Sequence, residues 1–210
     1  MQILSHRGYW KTEEEKNTET AFRHSFQIGF GTETDVRDLK GELVISHDMP
    51  KGGEMTFEKF LQIYCEYDKT LPLAINIKAD GLGAELKRLF EKYDIQNYFL
   101  FDMSVPDLIC LLREELKCFT RESEYEIIPS CYEESEGVWV DCFKSDWIEE
   151  KDIKKHLDAG KKVCIVSPDL HKRDYRHVWG KYKKFDVIKG FDLMLCTDIP
   201  EDAKKFFMLK

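Results

Sequence analysis

The chain has 210 residues, 42% hydrophobic and 34% charged, which describes one globular domain and excludes a disordered or fibrous protein. A net charge of −8 argues against nucleic acid and against stable association with an anionic membrane, since both require clustered Lys and Arg. Seven cysteines with no Cys-x-x-Cys pair, several inside apolar runs, read as buried free thiols of a reducing compartment rather than as disulfides or a zinc site.

In chain order, strand-like runs are predicted at Gln2–His6, Thr32–Arg37, Leu73–Lys78, Tyr98–Asp102, Lys117–Arg121, Gly137–Cys142, Lys162–Ser167 and Leu193–Thr197. A short extra strand, Leu43–His47, follows the second after a Lys40-Gly41 turn. Between the strands the periodicity is helical. Phe57, Phe60, Leu61 and Tyr64 share one face of Thr56–Tyr67, and Leu82, Leu86, Leu89, Phe90 and Tyr93 recur at spacings of three and four. Val105, Leu108, Ile109, Leu112 and Leu116 repeat the pattern after an N-capping Ser104, with Asp107 three residues on. Pro129 interrupts the helical run Tyr125–Glu134. Eight alternations of strand and helix imply parallel strands and a (β/α)8 TIM barrel in a single domain spanning residues 1–210. A doubly wound open sheet is the competing fold. The chain is shorter than the usual barrel of about 250 residues, so trimmed helices and loops are expected. Met1–Arg7 has no signal-peptide apolar stretch and no later run approaches the roughly 18 apolar residues of a membrane span, so a cytoplasmic protein is expected.

Reacting groups of parallel barrels sit at the C-terminal ends of strands. Here those ends carry Ser5-His6-Arg7-Gly8, then Glu33 and Asp35, His47-Asp48, and Asn76 with Lys78. Residues two apart in a strand point to the same side, so Glu33 pairs with Asp35 and Asn76 with Lys78. On one rim, two carboxylates and an amide oxygen suit a hard divalent cation such as Mg²⁺ or Ca²⁺. Arg7 and Lys78 can pair with phosphate oxygens, and His6 and His47 can exchange protons near neutral pH. A phosphodiester requires those functions together: charge neutralisation, a base for the nucleophile and an acid for the leaving oxygen.

At these residues the chain resembles the glycerophosphodiester phosphodiesterase family, within the wider phospholipase-C-like phosphodiesterase barrels. The matching positions are His6-Arg7-Gly8, Asn17-Thr18, Ala21-Phe22, Gly31, Glu33-Thr34-Asp35-Val36, His47-Asp48, Gly190-Phe191-Asp192 and Thr197-Asp198-Ile199-Pro200. The first 48 residues carry most of the likeness, and residues 80–160 carry almost none. The resemblance implies a hydrolase in which His6 and His47 are the acid–base pair, Glu33 and Asp35 bind the metal, and Arg7 and Lys78 hold the phosphate. It also implies a small-molecule phosphodiester as substrate, attacked by a neighbouring substrate hydroxyl or by water. In two places the chain departs from the family's pattern. Asn76 stands where the family has its third metal carboxylate, which removes a negative charge although an amide oxygen can still ligate. Lys16 replaces the glutamate of Glu-Asn-Thr. The passage from His47 to the next helix is also short, which makes the rim more open.

Two other functions fit parts of this pattern. A non-catalytic phosphosugar or phosphodiester binder would explain Asn76 as the mark of a partly lost metal site. A glycosidase would use Glu33 and Asp35 as its two carboxyls, at odds with the neighbouring histidines and Arg7. Asp141, Asp169 and His171 are candidates either for the substrate side or for loop capping, and Asp198 for bonding backbone at the rim. His24, His156 and His177 are expected on the surface. Of Trp10, Trp139, Trp147 and Trp179, core packing suits all but Trp10, which follows the His6-Arg7-Gly8 loop.

Overall fold

The computed structural model describes residues 1–190 and 192–208. Phe191 of the Gly-Phe-Asp match therefore lies outside the described residues. The chain divides into two compact units, one of residues 5–118 and one of Met1–Leu4 with residues 119–210.

The first unit takes Ser5 and His6 from β1 (Gln2–His6) and continues with α1 (Glu19–Gln27), β2 (Gly31–Leu39), β3 (Glu42–Ile45) and α2 (Phe57–Tyr64). It ends with β4 (Leu73–Ile77), α3 (Gly83–Tyr93), β5 (Tyr98–Phe101) and α4 (Val105–Arg113). Strands β5, β4 and β2 are parallel neighbours in that order. All five residues of β4 are buried, as expected for a parallel strand covered on both faces. The predicted faces of the helices are the ones that pack. Phe57, Phe60, Leu61 and Tyr64 of α2 are fully buried, Phe22 of α1 meets Phe60 edge-on at 4.6 Å, and Phe26 meets Tyr64 at 5.3 Å. Thr18, Thr56 and Ser104 cap α1, α2 and α4 through their hydroxyls, each satisfying one exposed helix N–H. Asp107 does not close a capping box. Its carboxylate accepts the Gly81 N–H at 2.9 Å instead.

β3 folds back antiparallel on β2 with Val36 opposite Ile45. The hairpin turns at Lys40 and Gly41, whose φ values of 55° and 86° suit a primed two-residue turn. Gly8 holds a second special position. At φ 82° a side chain is strained, and a Cβ there would lie 2.7 Å from the Cβ of Ala21, so only glycine lets the loop after β1 lie on α1.

In the second unit β6 (Phe119–Glu122), β7 (Gly137–Val140), β8 (Lys162–Val166) and β9 (Leu193–Thr197) are parallel and adjacent in chain order. Its helices are α5 (Glu150–Asp158), α6 (Tyr175–Tyr182) and α7 (Pro200–Phe207). The predicted strand Lys117–Arg121 is displaced toward the C-terminus as β6. No helix forms over Tyr125–Glu134. There Ser123 caps a turn by accepting from the N–H groups of Tyr125 and Glu126, Arg121 pairs with Glu126, and Pro129 precludes a regular helix. The expectation for His156 is also corrected: it is 3% exposed, bonded to Glu122 at 2.7 Å and to the Tyr132 hydroxyl at 2.9 Å. Its place on α5 suggested solvent, but a carboxylate on β6 draws it inward. All seven cysteines are free, with Cys118, Cys142, Cys164 and Cys196 buried. No helix among the described residues is long and apolar enough to cross a membrane.

Candidate functional site

Glu33 and Asp35 project to the same side of β2, and both are buried, at 1% and 0% exposure. Two carboxylates so deep in a parallel sheet require compensation, because an unpaired buried charge is costly. Sequence-distant groups supply it. Arg7 has φ 57°, a left-handed turn that directs its backbone N–H to Glu33 Oε2 at 3.1 Å while its side chain goes to Asp35. Its Nε lies 2.9 Å from Asp35 Oδ2, an ion pair rather than an aligned hydrogen bond. Asn17 Nδ2 donates to the same oxygen at 2.9 Å, and Lys78 Nζ stands 3.5 Å from Oδ1. His6 Nε2 is 3.9 Å from Glu33 Oε2. Burial and then the Asp35 charge push the Glu33 carboxyl up to about 7, against the opposing pull of His6, Arg7 and Lys78.

The register of β2 and β4 sets Asp35 beside Asn76 and Glu33 beside Ala74. Neighbours in register share a face, so the Asn76 amide flanks the Asp35 carboxylate, and Ala74 is the neighbour of Glu33. Asp35 Oδ1 and Asn76 Oδ1 are both buried and neither receives a hydrogen bond. Buried oxygens are rarely left so. Two hard oxygens without a hydrogen bond, with Glu33 on the same side of β2 as Asp35, are donors of the kind Mg²⁺ or Ca²⁺ takes. The set fits a divalent cation, with two carboxylates rather than three. Accordingly, among the described residues, no three His, Cys, Asp or Glu side chains group around one metal-sized point.

His47 stands apart from this cluster. β3 ends at Ile45, so His47 lies in a turn beyond the strand and not on it. Arg37 Nε donates to its carbonyl at 3.1 Å, its Nδ1 lies 2.8 Å from Asp48 Oδ1, and its side chain is 47% exposed. A cleft of about 700 Å³ runs past it, lined by Arg7, Asn17, Asp48, Met55 and Lys59 among others. Arg7 thus borders both the buried carboxylates and the cleft that His47 faces. Of the seven predicted site residues, His6, Arg7, Glu33, Asp35, Asn76 and Lys78 form one connected cluster, and His47 joins it through the Arg7 side of the cleft.

Two residues near the cluster were not singled out from the sequence. Asn17 appeared only as part of a motif, yet it joins Asp35 to Thr34, whose hydroxyl donates to Asn17 Oδ1 at 2.9 Å. Asp102, just after β5, lies 3.6 Å from Lys78 Nζ. Its signal was the repetition of an acid at a strand end. The other candidates are engaged internally. Trp10 donates to the His6 carbonyl at 3.0 Å and carries Lys16 over its ring at 4.3 Å, while Lys16 pairs with Glu13. The substituted Lys16 therefore ties down the first loop itself. Asp141 holds His171 at 2.7 Å, and Asp169 accepts from Ser167, Thr197 and the Asp198 N–H.

No family model matches the sequence, and no curated protein does. Solved structures do match. A candidate glycerophosphodiester phosphodiesterase from Galdieria sulphuraria superposes with a TM-score of 0.78 at 19% identity, over 99% of this chain and 97% of that one. A glycerophosphodiester phosphodiesterase from Agrobacterium tumefaciens gives 0.71 at 17% identity, covering 100% of both chains. An Oleispira antarctica phosphodiesterase in complex with the product sn-glycerol-3-phosphate gives 0.67 at 15%, over 99% and 97%. At such identities the likeness establishes the fold: the chain has the (β/α)8 barrel fold expected from its alternation of strands and helices.

Proposed function

We propose that the 210-residue chain is one catalytic domain that hydrolyses a small phosphodiester by histidine acid–base chemistry assisted by a divalent metal, in the manner of the glycerophosphodiester phosphodiesterases it resembles. The observation that carries the reading is the pair of buried oxygens without a hydrogen bond on Asp35 and Asn76, on the side of the sheet where Glu33 lies, with Arg7 and Lys78 close to Asp35. Buried oxygens are seldom left without a hydrogen bond, and here two of them are register neighbours on one face.

Glu33, Asp35 and Asn76 would hold the cation, which supplies charge stabilisation to the phosphoryl oxygens when bound. Arg7 and Lys78 orient the phosphate, Arg7 through the part of its guanidinium not engaged by Asp35 and Lys78 as a mobile point charge. Of His6 and His47, one removes the proton from the attacking hydroxyl and the other returns a proton to the leaving oxygen, each transfer being worth about 10²–10⁴-fold. Glu33 faces His6 and can hold its ring in place. The free thiols are consistent with work in a reducing, cytoplasmic setting.

The test is hydrolysis of a panel of glycerophosphodiesters, lysophospholipids and cyclic phosphates, with Mg²⁺, Ca²⁺ or chelator. Activity that chelator abolishes and metal restores supports the proposal. Asp35→Ala should reduce it by at least about a hundredfold, since loss of a metal's stabilisation of several kcal/mol converts at 1.36 kcal/mol per tenfold. Full activity in chelator would sink the metal part. One observation favours a second reading, a binder without turnover: an amide occupies the place of the third carboxylate. Calorimetry separates the two, because that reading predicts glycerol phosphate binding without any uptake of millimolar Mg²⁺ or Ca²⁺.

A further inference from the structure

Lys78 Nζ lies 3.5 Å from Asp35 Oδ1 and 3.6 Å from Asp102 Oδ2. Both separations exceed hydrogen-bond length, so one ammonium is shared almost equally between two carboxylates and closes onto neither. Asp35 is fully buried and would otherwise draw the neighbouring cation into contact. Asp102 competes for the same ammonium at a nearly equal distance. It follows β5 immediately, where Phe101 is in register with Asn76, and it is held at φ 70°, a left-handed conformation that L side chains avoid. A residue in that conformation at a strand end places its carboxylate where a regular strand would not.

We propose that Asp102 is a positioning residue: it draws Lys78 off Asp35, so that Asp35 Oδ1 stays open beside Asn76 Oδ1 for a divalent cation while Lys78 stays free to meet a phosphate oxygen. The inference rests on the metal-assisted reading above and deepens it. With Asn76 neutral, the cation depends on two carboxylates, and an ammonium settled on Asp35 would leave it one. Asp102 thereby compensates, from the next strand, for the acid missing at position 76, without being a ligand itself.

Calorimetric titration of Mg²⁺ into the whole chain tests this, with Asp102→Asn, Asp102→Glu, Lys78→Gln and the Asp102→Asn/Lys78→Gln pair. Asp102→Asn should weaken Mg²⁺ binding by about tenfold, the order expected for one neighbouring charge. Asp102→Glu should retain most of the affinity. The double variant should regain it, because the competing ammonium is gone, and a merely structural role for Asp102 would give no such recovery. A crystal structure of Asp102→Asn should have Nζ within about 3 Å of Asp35. Unchanged Mg²⁺ affinity in Asp102→Asn, or no recovery in the double variant, overturns the proposal. If the wild type takes up no Mg²⁺ at all, the metal reading falls. The hold on Lys78 is then decided by the crystal structure, where an ammonium still midway between positions 35 and 102 overturns it.

Discussion

The two units of the chain carry similar polar residues at their strand ends and treat them differently. In the second unit four such acids are each held by a neighbour. Glu122 is held by His156 and Lys155, Asp141 by His171, Asp169 by Ser167, Thr197 and the Asp198 N–H, and Glu124 by three successive N–H groups of residues 143–145. In residues 5–118 the acids accept some hydrogen bonds, from the Arg7, Gly81 and Asn17 N–H groups, and leave other acceptors unmet. Among the described residues, the buried side-chain oxygens without a partner belong to Asp35, Asn76 and Asp107, all in this unit. The contrast teaches that a strand-end position nominates a candidate and an unmet acceptor narrows the choice, while Asp107, which also braces the Gly81 N–H, shows that an unmet acceptor alone does not make a ligand.

Substitutions in either unit can break that contrast. The largest effect is expected at His6. His6→Gln should lower kcat by about 10²–10⁴-fold with the fold intact, measured by steady-state hydrolysis and circular dichroism. An intact rate would remove the histidine from the chemistry. Next comes the stability of the metal-free protein. The Glu33 carboxyl ionises at about 7 in the fold against an ordinary 4.5, so between those values the folded chain holds the extra proton and stability falls as pH rises. The full difference is at most about 3 kcal/mol, at 1.36 kcal/mol per pH unit. Glu33→Gln should therefore abolish activity yet raise the urea midpoint in chelator at pH 8 more than at pH 5. Equal gains at both values would contradict the assignment.

A brace should behave in the opposite way. Asp169→Ala leaves Ser167, Thr197 and the Asp198 N–H short of an acceptor and should cost about 1–3 kcal/mol of stability. Activity per folded molecule should stay within about threefold. A loss as large as that at His6 would move Asp169 into the working site. The smallest effect belongs to His171. Its hydrogen bond to Asp141 raises the imidazole above its ordinary 6.5, so the stability it adds is complete below 6.5 and fades as pH rises through the higher folded value. Asp141→Asn should flatten that part of the stability–pH curve, checked by thermal melts from pH 5 to 9.

The sequence made the first unit legible because its chemistry is local to the strands. Alternation alone put Glu33 and Asp35 on one face, and the capping hydroxyl of Ser104 marked where α4 begins. What it could not supply were contacts made by closure across long separations. Asp102 reaches Lys78 from another strand, and Asn17 reaches Asp35 from a loop, neither with a periodic signature. His47 lies in a turn and not on a strand: the last link to β2 is the Ser46 N–H on the Asp35 carbonyl, and the Ser46 hydroxyl then bonds the Asp48 carbonyl within the turn. In the second unit the failures have one origin: irregular segments such as 123–135 are ordered by side-chain bonds rather than by hydrophobic rhythm, and His156 is buried by a carboxylate that no spacing foretells.

The contact of Gly8 with Ala21 also has a practical meaning for anyone altering this protein. The two small residues work as a hinge pin. Histidine and arginine are carried on one leaf and the helix on the other, so an enlarged side chain at position 8 unseats the reactive groups before any catalytic question can be asked. Residues 11–14 of the loop that follows are exposed, whereas Tyr9, Trp10 and Lys16 hold that loop in place, so changes confined to 11–14 should leave the pin undisturbed. A library confined to that stretch would vary the lining of the cleft while the Gly8–Ala21 contact is kept, and Gly8→Ala would be its control for a displaced loop.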